Sequence, residues 1–364
     1  MSDPRDWPPP APASPSPPWP PPDPSTQAPM QVQSRPPMLP SFPHAEPTPY
    51  HLMLRTWTYA WWKPVVGVLI VLFGFFVAAP LVASPVLVIS AAVKGGDVLA
   101  NITNSVSLKR VGPGTLLYLN VTLGLLILVT WFVMRVVHRM RPRWLTSVMP
   151  RMRWKFFFAC LGLSVVALAT QVGVSSVLPG LGGSGFGGHL NHFTTGSLVA
   201  ALVVLFTTPL QAAGEEYAFR GYLLAAVGSW TGNKWVAIVV TSLLFAFAHG
   251  GQNPPLFFDR FAFGLIAAWL VTRTGGLEAG IALHILNNML AFAAALLFGN
   301  LTTTLDVHSA PWWNIAVTVT QAVIYTVLVV LVATKMRLRN KTSPPERAAA
   351  LLGYDAVVSA PSQP

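Results

Sequence analysis

Gly214-Glu215-Glu216-Tyr217-Ala218-Phe219-Arg220 sets two adjacent carboxylates and an arginine in an otherwise apolar run. From Phe156 to Gly214 the chain contains no Asp, Glu, Lys or Arg. Ionisable groups inside a membrane segment are costly, and they are retained where a function needs them. Composition decides what surrounds the stretch. Of 364 residues, 53% are hydrophobic and only 10% charged, whereas a soluble domain carries about 25% charged residues. The sequence therefore reads as an all-α, polytopic bundle of transmembrane helices, about eight in number.

Outward from this stretch, apolar runs are expected as spans at 64–93, 115–134, 156–178, 197–226, 234–249, 257–272, 277–298 and 313–334. Trp61, Trp62, Trp312 and Trp313 mark membrane interfaces. Pro80 and Pro85 are expected to kink or end the first span. The glycine-rich stretch Pro179–Gly188 reads as a flexible loop rather than a phosphate cradle, because it lacks the Lys-Ser/Thr ending and the preceding strand. Residues 1–50 hold 19 of the 34 prolines. Such a segment buries too little apolar surface to fold and favours polyproline II, so residues 1–60 read as a disordered cytoplasmic tail able to dock a partner. The remaining divisions are N-terminal transmembrane helices at 61–194, a core at 195–300 that carries the Glu pair, a last transmembrane helix at 301–335 and a cytoplasmic tail at 336–364.

The net charge of +11 sits between apolar spans and matches no nucleic-acid motif, so nucleic acid is excluded as a partner. With eight spans, 19 of the 23 Lys and Arg fall on the side of the termini, and only Lys94, Lys109, Arg110 and Arg260 fall on the other. That asymmetry assigns both termini to the cytoplasm of a cell in whose plasma membrane the protein is embedded. The single cysteine, Cys160, excludes an intrachain disulfide and a cysteine metal cluster.

Among the other polar residues in apolar spans, His249, His284 and Asn288 are the candidates for chemistry, while Asn287 reads as interhelical glue. At about 1.5 Å rise per residue, Glu215 lies ~16 Å from one end of its span, His249 ~22 Å, and His284 and Asn288 ~10 to 16 Å. The hydrocarbon core is about 30 Å thick, so these groups can meet near its middle. Glu216 and Arg220 are four apart on one helix face and pair; Glu215 is rotated by about 100° and left without that partner. Glu215 is then the better general base. Phe245 lies one turn from His249, and His284 one turn from Asn288.

Peptide hydrolysis requires a base for water, a donor for the oxyanion and an acid for the leaving amine. Glu215 with His249 can prepare the water, while Asn288 and His284 can donate to the oxyanion. Alternatively, Glu215, His249 and His284 form a zinc set with water as fourth ligand. No His-Glu-x-x-His motif is present. His189, His192, Glu278 and Asp259-Arg260 read as solvated or structural groups. Two other classes are consistent with buried charge: a proton-coupled transporter, and a non-catalytic immunity or scaffold protein acting through the proline-rich tail.

Glu215-Glu216-x-x-x-Arg220, Phe245-x-x-x-His249 and His284-x-x-x-Asn288, in that order on successive apolar helices, resemble the CPBP family, the CAAX prenyl protease 2-like or Abi intramembrane proteases. The resemblance covers roughly residues 195–300. It implies an eight-span helical fold and an endopeptidase in which the first Glu of the pair is catalytic. Its substrates would be membrane-associated peptides or proteins, prenylated or bacteriocin-like. It leaves metalloprotease and glutamate-type mechanisms both open.

Overall fold

The computed structural model describes residues 43–44, 46–177 and 189–343. The proline-rich stretch through residue 42, the loop at Pro179–Gly188 and the tail from residue 344 lie outside them. The described residues are helical with no strand, only two isolated bridges. The helices are α1 (Trp62–Lys94), α2 (Val98–Val106), α3 (Pro113–Val136), α4 (Trp154–Val177) and α5 (Thr195–Thr231). They continue with α6 (Lys234–Phe247), α7 (Pro254–Thr274), α8 (Glu278–Phe298), α9 (Leu301–Leu305) and α10 (Asn314–Lys335).

Seven of these, α1, α3, α4, α5, α7, α8 and α10, are long and apolar enough to cross a membrane. The expected fifth span, α6, is a helix of 14 residues, short of the ~20 that a full crossing needs. Thr342 N–H donates to Thr48 O at 2.9 Å and Thr48 N–H to Thr342 Oγ1 at 2.8 Å, so the two ends of the described chain lie together.

Two expectations change. The first span is not ended by its prolines. Helix α1 runs 33 residues through Pro80 and Pro85, with a π-helical segment at Gly74–Ala78 just before Pro80. A proline lacks an N–H and crowds the carbonyl four residues earlier, and the wider turn absorbs that conflict. The second change concerns the described residues from 46 to 60, which do not behave as tail. Tyr50, Met53 and Leu54 are fully buried, and the Tyr50 hydroxyl donates to Leu145 O. His44 Nε2 bonds Met53 O at 2.8 Å.

Local chemistry sets the helix ends. Asn233 Oδ1 accepts from Trp235 and Val236 N–H at the start of α6, and Asn253 Oδ1 from Leu256 N–H at the start of α7. Gly232 and Gly275 close α5 and α7 with φ of 74° and 76°, a region that glycine enters without a Cβ clash. The main packing is α3 on α5, α6 on α7, α4 on α10, and α8 on both α4 and α5. Gly214 lets α5 approach α3 closely: a β-carbon there would strike the Leu123 carbonyl oxygen. One step after Gly214 comes Glu215, so this contact fixes the height at which the carboxylates enter the bundle.

Candidate active site

Helix α5 changes character at the Glu pair. Its α-helical part ends at Glu216, and Tyr217–Leu223 forms a π segment before the α-helix resumes. Such bulges widen a helix locally and recur at functional sites. Glu216, fully buried, takes two hydrogen bonds on Oε1: from Arg220 Nη1 at 2.8 Å and from His284 Nδ1 at 2.9 Å. Its Oε2 faces Gly280 of α8, where an added Cβ would lie 2.6 Å from it, so glycine makes room for the carboxylate.

The Arg220 guanidinium is also fully buried. It lies 3.9 Å from the centre of the Phe245 ring and 5.2 Å from that of Phe263. A carboxylate and two aromatic faces therefore compensate its charge in place of water. The same two rings meet His284 edge-on, with centroids at 6.0 Å and 5.0 Å. The expected Glu216–Arg220 pair and the expected place of Phe245 are both found.

Glu215 is not left alone. Its Oε1 accepts from Gln211 Nε2 at 2.7 Å, and Gln211 Oε1 accepts from Asn288 Nδ2 at 2.9 Å. Glu215 Oε2 has no hydrogen-bond partner among the described residues, and His284 Nε2 stands 3.5 Å from it. A continuous chain thus runs Asn288–Gln211–Glu215, then across His284 to Glu216 and Arg220. Gln211 and Phe263 are members that sequence reasoning missed. Gln211 had a readable signal, since it precedes Glu215 by one helical turn. Phe263, on a helix without any motif, had none.

His249 is placed differently from the other histidine. Its ring packs on Phe245 at 4.7 Å, its Nδ1 bonds the Phe245 carbonyl at 2.8 Å, and the residue is exposed at the end of α6. It lies within electrostatic range of Glu215 and His284, but the histidine bonded into the carboxylate cluster is His284. Among the described residues, no three His, Cys, Asp or Glu side chains are placed to hold a metal ion. The set Glu215, His249 and His284 does not assemble into a zinc cage in this arrangement.

The groups read as structural keep that role, with different partners. Glu278 does more than begin a helix: it is fully buried and takes Arg153 backbone N–H at 3.1 Å, Nε at 2.7 Å and Nη2 at 2.6 Å. Asp259 bonds the Thr318 hydroxyl of α10 instead of pairing with its neighbour Arg260. His189 and His192 are exposed.

Fold and site together define a polytopic helical membrane protein with a buried carboxylate–histidine–amide cluster at its centre. The helices that build that cluster have known counterparts: residues 195–290 match the family described as type II CAAX prenyl endopeptidase Rce1-like. This match agrees with the resemblance carried by the three motifs. The chain is also similar to the uncharacterized protein YyaK of Bacillus subtilis (strain 168), at 31% identity over 99 residues, 25% of this chain and 32% of YyaK. An uncharacterized 24.3 kDa protein of Escherichia coli is 36% identical over 106 residues, 28% of this chain and 45% of that protein. The chain thus covers less than half the length of either relative. No solved structure matches it.

Proposed function

We propose that the chain is an intramembrane endopeptidase of the CAAX prenyl protease type, acting on membrane-associated peptides or proteins. The observation that carries this reading is the unpartnered Oε2 of the buried Glu215, 3.5 Å from His284 Nε2. A carboxylate only accepts, so His284 Nδ1–H donates to Glu216, and His284 Nε2 faces the Glu215 oxygen across a gap that a shared proton or a water molecule would fill. This is the arrangement that general base catalysis uses.

The roles follow from which atoms are free. His249 donates Nδ1–H to the Phe245 carbonyl, which leaves Nε2 to accept from a water shared with Glu215. Glu215 takes a proton from that water as its oxygen attacks the scissile carbonyl. Asn288 spends one amide hydrogen on Gln211 and offers the other to the oxyanion. When the tetrahedral adduct collapses, the C–N bond breaks and the proton held at Glu215 passes to the leaving amine. Glu216 and Arg220 hold His284 in place and take no part in bond making. Glu215, His249 and His284 do not gather as a zinc cage among the described residues, and no step above depends on a metal. Dialysis against a chelator followed by metal analysis and a cleavage assay tests this: activity surviving in metal-free protein supports the glutamate mechanism, and loss restored by zinc rejects it.

The substrate class, prenylated or bacteriocin-like, and a bacterial plasma membrane with both termini in the cytoplasm complete the proposal. Bacterial relatives and the basic residues gathered at the termini's side support the location.

A further inference from the structure

Between α6, α7 and α10 lies an apolar groove of about 380 Å³. Trp235 and Ile238 of α6, Leu265, Ile266 and Trp269 of α7 and Thr326 of α10 line it. None of these residues bonds Glu215, Glu216, His284 or Asn288. Its volume falls within the range of about 300–1,000 Å³ usual for small-ligand pockets. Because α6 begins where α7 ends, the start of one helix and the finish of the other form the same end of the groove. Two cations stand there. Lys234 Nζ lies 4.9 Å from the centre of the groove-lining Trp235 ring, and Arg273 sits four residues beyond Trp269 on the same face of α7. Both are exposed, and neither forms an ion pair among the described residues. Arg55 lies close to Gly232 at the adjacent turn and adds a third positive charge.

We infer that this groove is a site for one anionic phospholipid, with an acyl chain between α6 and α7 and the phosphate held by Lys234 and Arg273. Basic side chains above an apolar slot with tryptophans at the interface match the two ends of such a molecule. A zwitterionic lipid fits the slot but gains little from the paired cations. A bound lipid would brace the two helices that carry Phe245, His249 and Phe263.

The test uses the full chain in detergent with equal amounts of phosphatidylglycerol and phosphatidylcholine of the same acyl chains, read by native mass spectrometry. One phosphatidylglycerol should be retained per chain in roughly thirtyfold preference, as expected for two basic contacts of about 1 kcal/mol each. Lys234→Ala with Arg273→Ala should erase the preference. Phosphatidylglycerol with brominated chains should quench tryptophan fluorescence, and Trp235→Phe with Trp269→Phe should remove much of that quenching. Equal retention of the two lipids, an unaffected double variant, or displacement of the lipid by a prenylated peptide would overturn the assignment. The outcome is independent of peptidase activity, since no groove residue is placed in the hydrolytic site.

Discussion

Glu215 and Glu216 are neighbours in sequence with opposite surroundings. Glu216 takes two charged or polar donors on one oxygen, whereas Glu215 keeps an oxygen free. Their substitutions should separate. Glu216→Gln leaves the buried Arg220 charge uncompensated and should destabilise the protein by roughly 3–5 kcal/mol, read by denaturant unfolding in detergent. Glu215→Gln can retain the bond to Gln211, so unfolding should stay near that of the parent while cleavage is lost. Gln211→Leu removes the link between Glu215 and Asn288, and kcat should fall on the order of tenfold to a hundredfold. An unchanged kcat would place Gln211 outside the mechanism. At this scale the sequence was informative because charge is rare in an apolar run: Glu215, Glu216, Arg220, His284 and Asn288 stand out against it. It was silent on Phe263, since one phenylalanine among 20 has nothing to mark it.

Helix α8 shows what is readable along an element and what is not. The four-residue spacing of His284 and Asn288 put both toward α5, and both are found bonded there. Glu278 is the first residue of the same helix, where a carboxylate acting only on the helix end would be worth about 0.3–1 kcal/mol. Its real partner, Arg153, lies 125 residues earlier, and such a pairing leaves no local pattern. Glu278→Ala should therefore cost about 3–5 kcal/mol, the penalty for an orphaned buried charge, and not the smaller helix-end figure. Thermal or denaturant unfolding distinguishes the two. Gly280→Ala should push the Glu216 carboxylate out of register and depress cleavage, with a smaller loss of stability than Glu278→Ala. Helix ends were legible where Asn233, Asn253, Gly232 or Gly275 supplied the chemistry. The π segments were not, because they answer to Pro80 and to the packing around the Glu pair.

Across the whole molecule, the all-helical membrane bundle could be read from hydropathy alone, because backbone in lipid must satisfy itself within helices. The N-terminal boundary could not: proline content suggested a tail to residue 60, yet Tyr50, Met53 and Leu54 are buried against the bundle. The pairing of Thr48 with Thr342 makes a topological statement that can be checked. With Cys160 replaced by alanine, single cysteines at Glu46 and Lys341 should label from one side of sealed vesicles, and one at His308 from the other. Labelling of 46 and 341 from opposite sides would mean an odd number of passes. The central claim, that the buried cluster splits an amide bond, is tested most directly by purified protein in proteoliposomes with a membrane-anchored peptide reporter, its fragments identified by mass spectrometry. Cleavage by the parent chain is expected, with a fall on the order of 10²–10⁴-fold in Glu215→Gln of parental stability, the share that a general base supplies. Cleavage undiminished in Glu215→Gln would contradict it.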